Sequence, residues 1–460
     1  MATTKIYRTF TSGNTDKWTW SAWVKRGKCG ATQGLFAAHV DDQNRTDIKF
    51  NGSDQFVFEH VVGNSYVSRH ISTRLFRDTS AWYHIVVVWD TGNASEHERQ
   101  RLYINGVEEN DWGTATNCAA DTDSWMNNTA STSVCNIGLA DSNFFDGCMS
   151  HIQFVDGLAL APTDFGTTDS TTGIWKIKTA SYGTPGTNGF HLKFENSGNL
   201  DLDSSSNTLT FTTGGNLIQT KDNPSNNFTT LSRFFGKQGT QYYQNDSADL
   251  KYGNLSSESA DDKSVGATFE LRKGKWYWET KLIGNNNTRN MGIVRADMIN
   301  NNGTFYNAST TNGTENTMNY NPRTAYANVK TTDKSDGTNT TSGMISSDSD
   351  AIIGHYLDMD NGKMCWSLDG TLINSGASIA LPDWADGDWT KWGAIPSARL
   401  DGAQFGHYNF GNGYFGTTAV ASSVADAGGE GLFEYNPTAT IDSSSQDFRC
   451  INTKNIATYG

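Results

Sequence analysis

The chain of 460 residues is acidic, with a net charge of -14, and combines 18% charged residues with 46 glycines and 7 prolines. Such a surface repels phosphates, which argues against a nucleic-acid partner and leaves divalent cations and neutral glycans open. No apolar run approaches about 18 residues, so no membrane insertion is expected, and the few prolines exclude a proline-rich linker protein.

Between the apolar residues stand Asn, Ser, Thr and Gly, a composition that suits sugar hydroxyls and β-turns alike. Fourteen Trp and 23 Phe suffice for sizeable cores, and runs rich in Val, Thr and aromatics outnumber amphipathic helical windows. The pattern predicts an all-β chain. The opening MATTKIYRTF lacks the basic and apolar regions of a secretory signal. The cysteines at 29, 118, 135, 148, 365 and 450 form no C-x-x-C pair. The expectation is reduced thiols in a protein folded in cytosol, with Cys118 and Cys135 left open as a disulfide.

The first segment runs over residues 1–170. In KWTWSAWVKR, Trp18, Trp20, Ala22 and Val24 share one face of a strand, with Thr19, Ser21 and Trp23 on the other. DIKFNGSDQFVFEH reads as two strands around Asn51-Gly52. WYHIVVVWD holds a buried strand from Ile85 to Trp89, and RLYINGVEE is a hairpin around Asn105-Gly106. CNIGLADSNFFDGCMSHIQFVDGLAL closes the segment. Taken in order, WTWSAWVK, WYHIVVVWD with LYINGV, and NIG…FFDGCMSHIQFVDGLAL resemble laminin-G-like, concanavalin A-like lectin/glucanase domains over about residues 5–165. The resemblance implies a jelly-roll sandwich of two antiparallel sheets, used by some members for sugars and by some for calcium. It also marks Asp141 and Asp146, in DSNFFDG, as candidate calcium ligands, against the alternative of an Asx turn; backbone carbonyls would supply most of the six to eight oxygens. No other cofactor is expected.

Residues 171–255 read as a strand-rich connector, with Phe190, Leu192 and Phe194, then Leu209 and Phe211, alternating. A second module spans 256–420. SVGATFELRKGKWYWETKLIG, MGIV, AIIGHYLDMDNGKMCWSLDGTLI and IPSARLDGAQFGHYNFG resemble a SPRY domain over about 264–415, which implies a second antiparallel sandwich that binds partners through its loops. A polar insertion at about 299–349 carries Tyr306, Tyr320 and Tyr326; so long a stretch of weak periodicity is expected to be functional or disordered. Residues 421–460 read as an extended C-terminal arm.

Within the second module, DMDNG invites a calcium reading. Counted from Asp358, however, position 5 is Gly362, position 6 is Lys363 and position 12 is Asp369, which fails the EF-hand spacing. A two-residue Asn361-Gly362 hairpin turn fits better and pairs Asp358 with Cys365 and Leu357 with Trp366. It places Leu357, Met359, Met364, Trp366 and Leu368 on one face.

Catalytic signatures are sparse. The 12 glutamates form no E-x-D-x-x-E pattern of the kind that sets two carboxylates on one strand face; Glu96-His-Glu98 is the nearest pair and reads as a solvated loop. Neither G-x-S-x-G nor a phosphate-binding loop occurs. His84 is expected to be packed, and the nine histidines show no i, i+4 pairing, so no zinc site is expected. Sugar stacking needs exposed aromatics. The candidates are Trp384 and Trp389 in LPDWADGDWTKWG, and Tyr306, Tyr320 and Tyr326; filling the end of the sandwich or meeting a neighbouring subunit is the open alternative for these Trp, and more so for Trp392.

The whole resembles structural proteins of tailed phages of marine and cyanobacterial type, on FVDGLALAPTDFG, GTNGFHLKFENS, NPSNNFTTL and FRCINTKNI. No heptad or collagen-like shaft is present. The resemblance implies a non-enzymatic virion surface protein assembled in the host cytoplasm: a tail fibre or receptor-binding component contacting a host-surface glycan or protein. Its other partners would be further virion proteins, in a homo-oligomer or multicopy assembly. A capsid decoration or head-fibre protein is the alternative, and a polysaccharide depolymerase a third reading.

Overall fold

The face alternation in KWTWSAWVKR builds the centre of the first sandwich. The computed structural model describes residues 3–130, 134–232, 250–259, 263–283, 289–296, 317–321, 326–330, 338–340, 350–381, 388–400 and 404–460. The chain divides into two units, Met1–Gln219 and Thr220–Gly460. Both are built from antiparallel sheets, so the chain is all-β with two short α-helices among the described residues.

The strands of the first unit are β1 (Lys5–Thr9), β2 (Lys17–Arg26), β3 (Gln33–Asp41), β4 (Asn44–Phe50), β5 (Gln55–Val62), β6 (Ser65–Leu75), β7 (Tyr83–Asp90), β8 (Gln100–Ile104), β9 (Val107–Glu108), β10 (Trp112–Thr116), β11 (Val134–Ile137), β12 (Leu139–Ala140), β13 (Asn143–Phe144), β14 (Gly147–Asp156), β15 (Gly166–Thr168), β16 (Trp175–Ile177), β17 (Phe190–Leu192) and β18 (Thr212–Gly214). One sheet runs β10-β6-β5-β4-β3-β11-β1-β18 and the facing sheet β17-β14-β2-β7-β8-β9. Trp18, Trp20, Ala22 and Val24 face the shared core with Phe36, Ile48, Phe58, Trp89 and Phe154. Each Trp ring withdraws roughly 150–250 Å² from water, about 4–6 kcal/mol at 25 cal/mol/Å². The opposite face of β2 is buried as well, because residues 158–182 fold back over it. Thr19 Oγ1 donates to the Leu158 carbonyl at 2.8 Å and accepts from the Leu160 amide at 2.9 Å.

The segment expected as a connector is shared between the units. Strands β16, β17 and β18 join sheets of the first unit, and the division falls at Gln219/Thr220. Cys118 and Cys135 are both buried and are not joined.

In the second unit, one sheet centres on Lys275–Ile283, flanked by Ile352–Asp358 and Gln404–Asn409; the other centres on Arg289–Arg295 and Ala394–Leu400. Trp276, Trp278, Trp366 and Leu357 lie in the core between them. The described parts of the polar insertion are not structureless: Thr317–Asn321, Tyr326–Lys330 and Thr338–Thr340 extend the second sheet in register. The C-terminal segment is more than an extended arm. Phe433, Ile441, Phe448 and Cys450 pack onto Tyr277, Tyr356 and Cys365, covering the outer face of the first sheet, and Thr453–Tyr459 is helical.

The Asn-Gly pairs resolve into two kinds of turn. Asn105 and Gly106 both take positive φ, 51° and 81°, and Ile104 pairs directly with Val107, a two-residue hairpin turn. At Asn361-Gly362 the register is Asp358↔Lys363 and Leu357↔Met364, so four residues form the loop, a shift of two positions from the expected pairing. The Asp358 carboxylate accepts from the Asp360 and Asn361 amides, both at 3.0 Å, and from Asn361 Nδ2 at 2.8 Å. The letters that resemble a metal loop cap a turn instead. An even shift preserves side-chain parity, so the expected face of Leu357, Met359, Met364, Trp366 and Leu368 remains the core face.

Candidate functional site

Ile48 and Phe50 of β4 enter the core, so the alternate residues Arg45, Asp47 and Lys49 occupy the outer face of the large sheet. Asp47 lies across from Glu59 on β5, and Glu59 across from Arg69 on β6. Lys49 Nζ stands 3.2 Å from Asp47 and 2.7 Å from Glu59. Arg45 reaches Asp47 at 3.0 Å and Glu59 at 3.4 Å, Arg69 reaches Glu59 at 3.3 Å, and His39 Nε2 reaches Asp47 at 2.6 Å. The side chains of Asp47 and Glu59 are 0% and 1% exposed. Burial works to raise the Asp47 carboxyl, but the hydrogen bond from His39 and the cations of Lys49 and Arg45 outweigh it and hold it below its ordinary range. Burial likewise opposes the charge on Lys49, and the facing carboxylates outweigh it and hold the ammonium above its ordinary range.

The groups at the rim of this network reach solvent: Arg69 at 34%, Asp141 at 42% and Tyr66 at 46%. The Arg69 guanidinium lies 4.2 Å from the Tyr66 ring centroid and fixes that ring at the rim. The site thus offers donors, acceptors and one aromatic plate, held by buried charges that themselves reach no ligand.

The same arrangement bears on catalysis. A retaining glycosidase needs one carboxyl protonated to act as an acid. Asp47 and Glu59 face each other, but both are buried and bridged by Lys49, so the geometry provides no acid there. A second pair imitates a nucleophile with its base: Ser21 Oγ lies 2.9 Å from His84 Nε2. Trp175 Nε1, a donor only, donates a hydrogen bond to His84 Nδ1 at 2.9 Å. Nε2 therefore carries the ring proton and donates to Ser21, the wrong tautomer for a base. Trp175 fits there because Gly106 has no side chain; a Cβ at 106 would sit 2.6 Å from the Trp175 ring. Burial also lowers the His84 pKa to about 3, and those of His60 and His70 to about 4.

The residues expected as sites fall differently. Trp389 and Tyr320 are both 0% exposed. The short helix Asp388–Trp392 turns Trp389 into the core and leaves Trp392 outside, and the Tyr320 ring meets Trp366 in the core. Neither presents a face to a sugar. Trp384 and Tyr306 lie outside the described residues, as does the side chain of Tyr326. Asp141 is oriented toward Lys49, 3.7 Å away, and the Asp146 carbonyl accepts from the Gly27 amide at 2.7 Å. Among the described residues no three His, Cys, Asp or Glu side chains gather as a metal site. Glu96 and Glu98 form an exposed 3-10 turn. The outer-face network escaped sequence reading, although the alternation of Arg45, Asp47 and Lys49 was a usable signal; their convergence on Glu59 and Arg69 requires the strand order.

Residues 3–164 match a family model described as the concanavalin A-like lectin/glucanases superfamily, of laminin-G type. Among curated proteins, none matches the chain. Among solved structures, the chain resembles a SAP-like pentraxin from Limulus polyphemus, at 15% identity over 34% of this chain and 71% of that one, with a TM-score of 0.25. It also resembles the SPRY domain of human HERC1, at 12% identity over 34% and 87%, TM-score 0.22. A further likeness is domain 4 of the arabinanase AbnA from Geobacillus stearothermophilus, in complex with arabinotriose, at 18% identity over 33% and 65%, TM-score 0.24. By this match, residues 3–164 of the first unit are similar to laminin-G-like, concanavalin A-like domains.

Proposed function

We propose that the protein is a non-enzymatic carbohydrate-binding component whose first unit holds a neutral glycan on the outer face of β3–β6. The observation that carries this reading is the rim of Tyr66, Arg69 and Asp141 around a charge-paired network. Paired charges present directional hydrogen-bond groups with little net field, which suits sugar hydroxyls better than ionic ligands. A pyranose would stack on the Tyr66 face not covered by Arg69. Weak single-site binding would gain strength from many copies on one particle.

The test is a glycan array with the full chain, followed by titration of any hit with Tyr66→Ala and Arg69→Ala. Loss of affinity of about tenfold or more, roughly 1.4 kcal/mol, is expected for each variant. Unchanged binding by both would sink this site, and reducing sugar released from a bound polysaccharide would sink the non-enzymatic reading.

We further propose that the chain is a tailed-phage virion surface protein, in a tail fibre or adhesion role, with a host-surface glycan as its ligand. The support is the phage-like order of FVDGLALAPTDFG, GTNGFHLKFENS, NPSNNFTTL and FRCINTKNI. Antibody labelling of intact particles tests it: label on tails supports the reading, and label on capsids at hundreds of copies favours a decoration protein.

A further inference from the structure

Histidines 40 residues apart in the chain meet on the outer face of the smaller sheet of the first unit. His151 lies on β14, at the irregularity between Ser150 and Gln153 in its pairing with β2. His191 lies on β17, which β14 pairs through Gln153↔His191. His151 Nδ1 stands 3.3 Å from His191 Nε2, with ring centroids 5.4 Å apart. His151 takes a left-handed backbone, φ 46°, a conformation that residues other than glycine rarely adopt. Strain of this kind in a bulged strand re-aims a side chain and concentrates at functional sites. Here it directs His151 at His191. The neighbouring His84 has both ring nitrogens engaged by Ser21 and Trp175, so it does not compete for the pair.

We propose that His151 and His191 together bind one borderline transition-metal ion, zinc(II) being the reference case. Two imidazole nitrogens at about 2.0–2.1 Å from a tetrahedral zinc stand about 3.3–3.4 Å apart, which is the spacing already present. Burial lowers the pKa of both rings, so each is neutral at pH 7 and carries a lone pair. Binding needs one ring to change tautomer and both rings to turn toward a common point off the N···N line: the facing nitrogens lose their shared proton, and His151 Nε2 and His191 Nδ1 carry the remaining N–H groups. Among the described residues no third His, Cys, Asp or Glu joins the pair. Water completes the shell. Calcium does not suit a nitrogen pair. The ion would join β14, inside residues 3–164, to β17, which lies beyond the family match, and so fasten the returning segment onto the jelly roll. This site is separate from the outer-face glycan site, and its test does not depend on that reading.

The experiment is calorimetric titration of the full chain, stripped with EDTA, with zinc chloride. One equivalent is expected to bind. Affinity is expected to fall at least tenfold in His191→Ala and in His151→Asn, where asparagine keeps the left-handed backbone accessible. Control variants His97→Ala and Cys148→Ser should bind as the parent does. In the unmutated protein, the ring nitrogen signals of His151 and His191 should shift with one equivalent of zinc, which keeps the test valid should a variant fail to fold. No binding by the parent, undiminished binding by a folded His191→Ala or His151→Asn, or ring signals that stay in place would each overturn the proposal.

Discussion

Lys49 stands between two carboxylates that face each other across adjacent strands, 3.2 Å from Asp47 and 2.7 Å from Glu59. Replacing it with methionine leaves two buried anions with Arg45 as their main remaining cation. Removing one partner of a buried ionic cluster costs about 3–5 kcal/mol, so Lys49→Met should lower the melting temperature of the first unit at pH 7. In the parent the Asp47 pKa is depressed, so its stabilisation is present above its unfolded value of 3.8 and is lost as pH falls through the folded value. Thermal melts of both proteins at pH 7 check the loss; equal melting temperatures would contradict it.

Trp389→Ala should act on stability and not on sugar. The side chain is fully buried with Trp276, Trp278 and Leu271, and removal of such a ring costs about 3–5 kcal/mol. The second unit should melt about 10 °C lower, while binding of any glycan hit by the folded fraction stays unchanged. Differential scanning calorimetry with a parallel binding titration separates the two effects.

Glu279 links the C-terminal segment to the sheet beneath it. Its carboxylate accepts from the Glu434 amide at 3.0 Å, the Tyr435 amide at 2.7 Å, Tyr277 Oη at 3.1 Å and Asn409 Nδ2 at 3.1 Å. Burial outweighs these four donors and raises the carboxyl from 4.5 to about 7. The folded state therefore binds more protons than the unfolded chain between those values, and the second unit should lose up to about 3 kcal/mol as pH rises across that window. Glu279→Gln should remove this slope. It should also lower stability at pH 5 by about 2–3 kcal/mol, because its amide N–H₂ is turned toward donors. Denaturant titrations at pH 5 and pH 7.5 measure both effects.

Asp358→Ala should cost about 1–3 kcal/mol, the loss of a charged acceptor for two loop amides and of the ion pair with Lys275 at 3.1 Å. Asp358→Asn keeps an acceptor and should recover about half of this. Chemical denaturation of the three proteins ranks them, and equal midpoints would contradict the capping role.

What could be read from sequence follows from the range of the interactions. The core faces of Trp18–Val24 and Leu357–Leu368 were legible because strand parity is local, and parity survived even where the loop at 359–362 was misjudged by two residues. The loop length was not legible, because Asx capping by Asp358 competes with the Asn-Gly turn on nearly equal terms. Trp389 and Tyr320 sit in polar surroundings along the chain, and only the helix at 388–392 and the pairing with Met291 show which way they point. The ionic network and the His151–His191 pair depend on strand order, which no spacing within one strand encodes.

The protons withheld by the first unit give it a built-in acid limit. His60, His70, His84 and His191 are held neutral, with pKa values of about 4, 4, 3 and 3 against 6.5 for the free side chain, and burial lowers His151 as well. Unfolding releases the first four to take up four protons, so stability falls by about 5 kcal/mol for each pH unit below about 6.5. A margin of 5–15 kcal/mol cannot survive more than a few such units. The first unit should therefore unfold in acid within a narrow interval near pH 4–5. The second unit holds fewer such histidines, His355 with a pKa of about 3 and His407 lowered by burial, and its Glu279 gains from the same acid, so it should outlast the first, giving two separated transitions by near-ultraviolet circular dichroism. In an acidifying medium the chain would then lose the fold of its first unit while its second still stands.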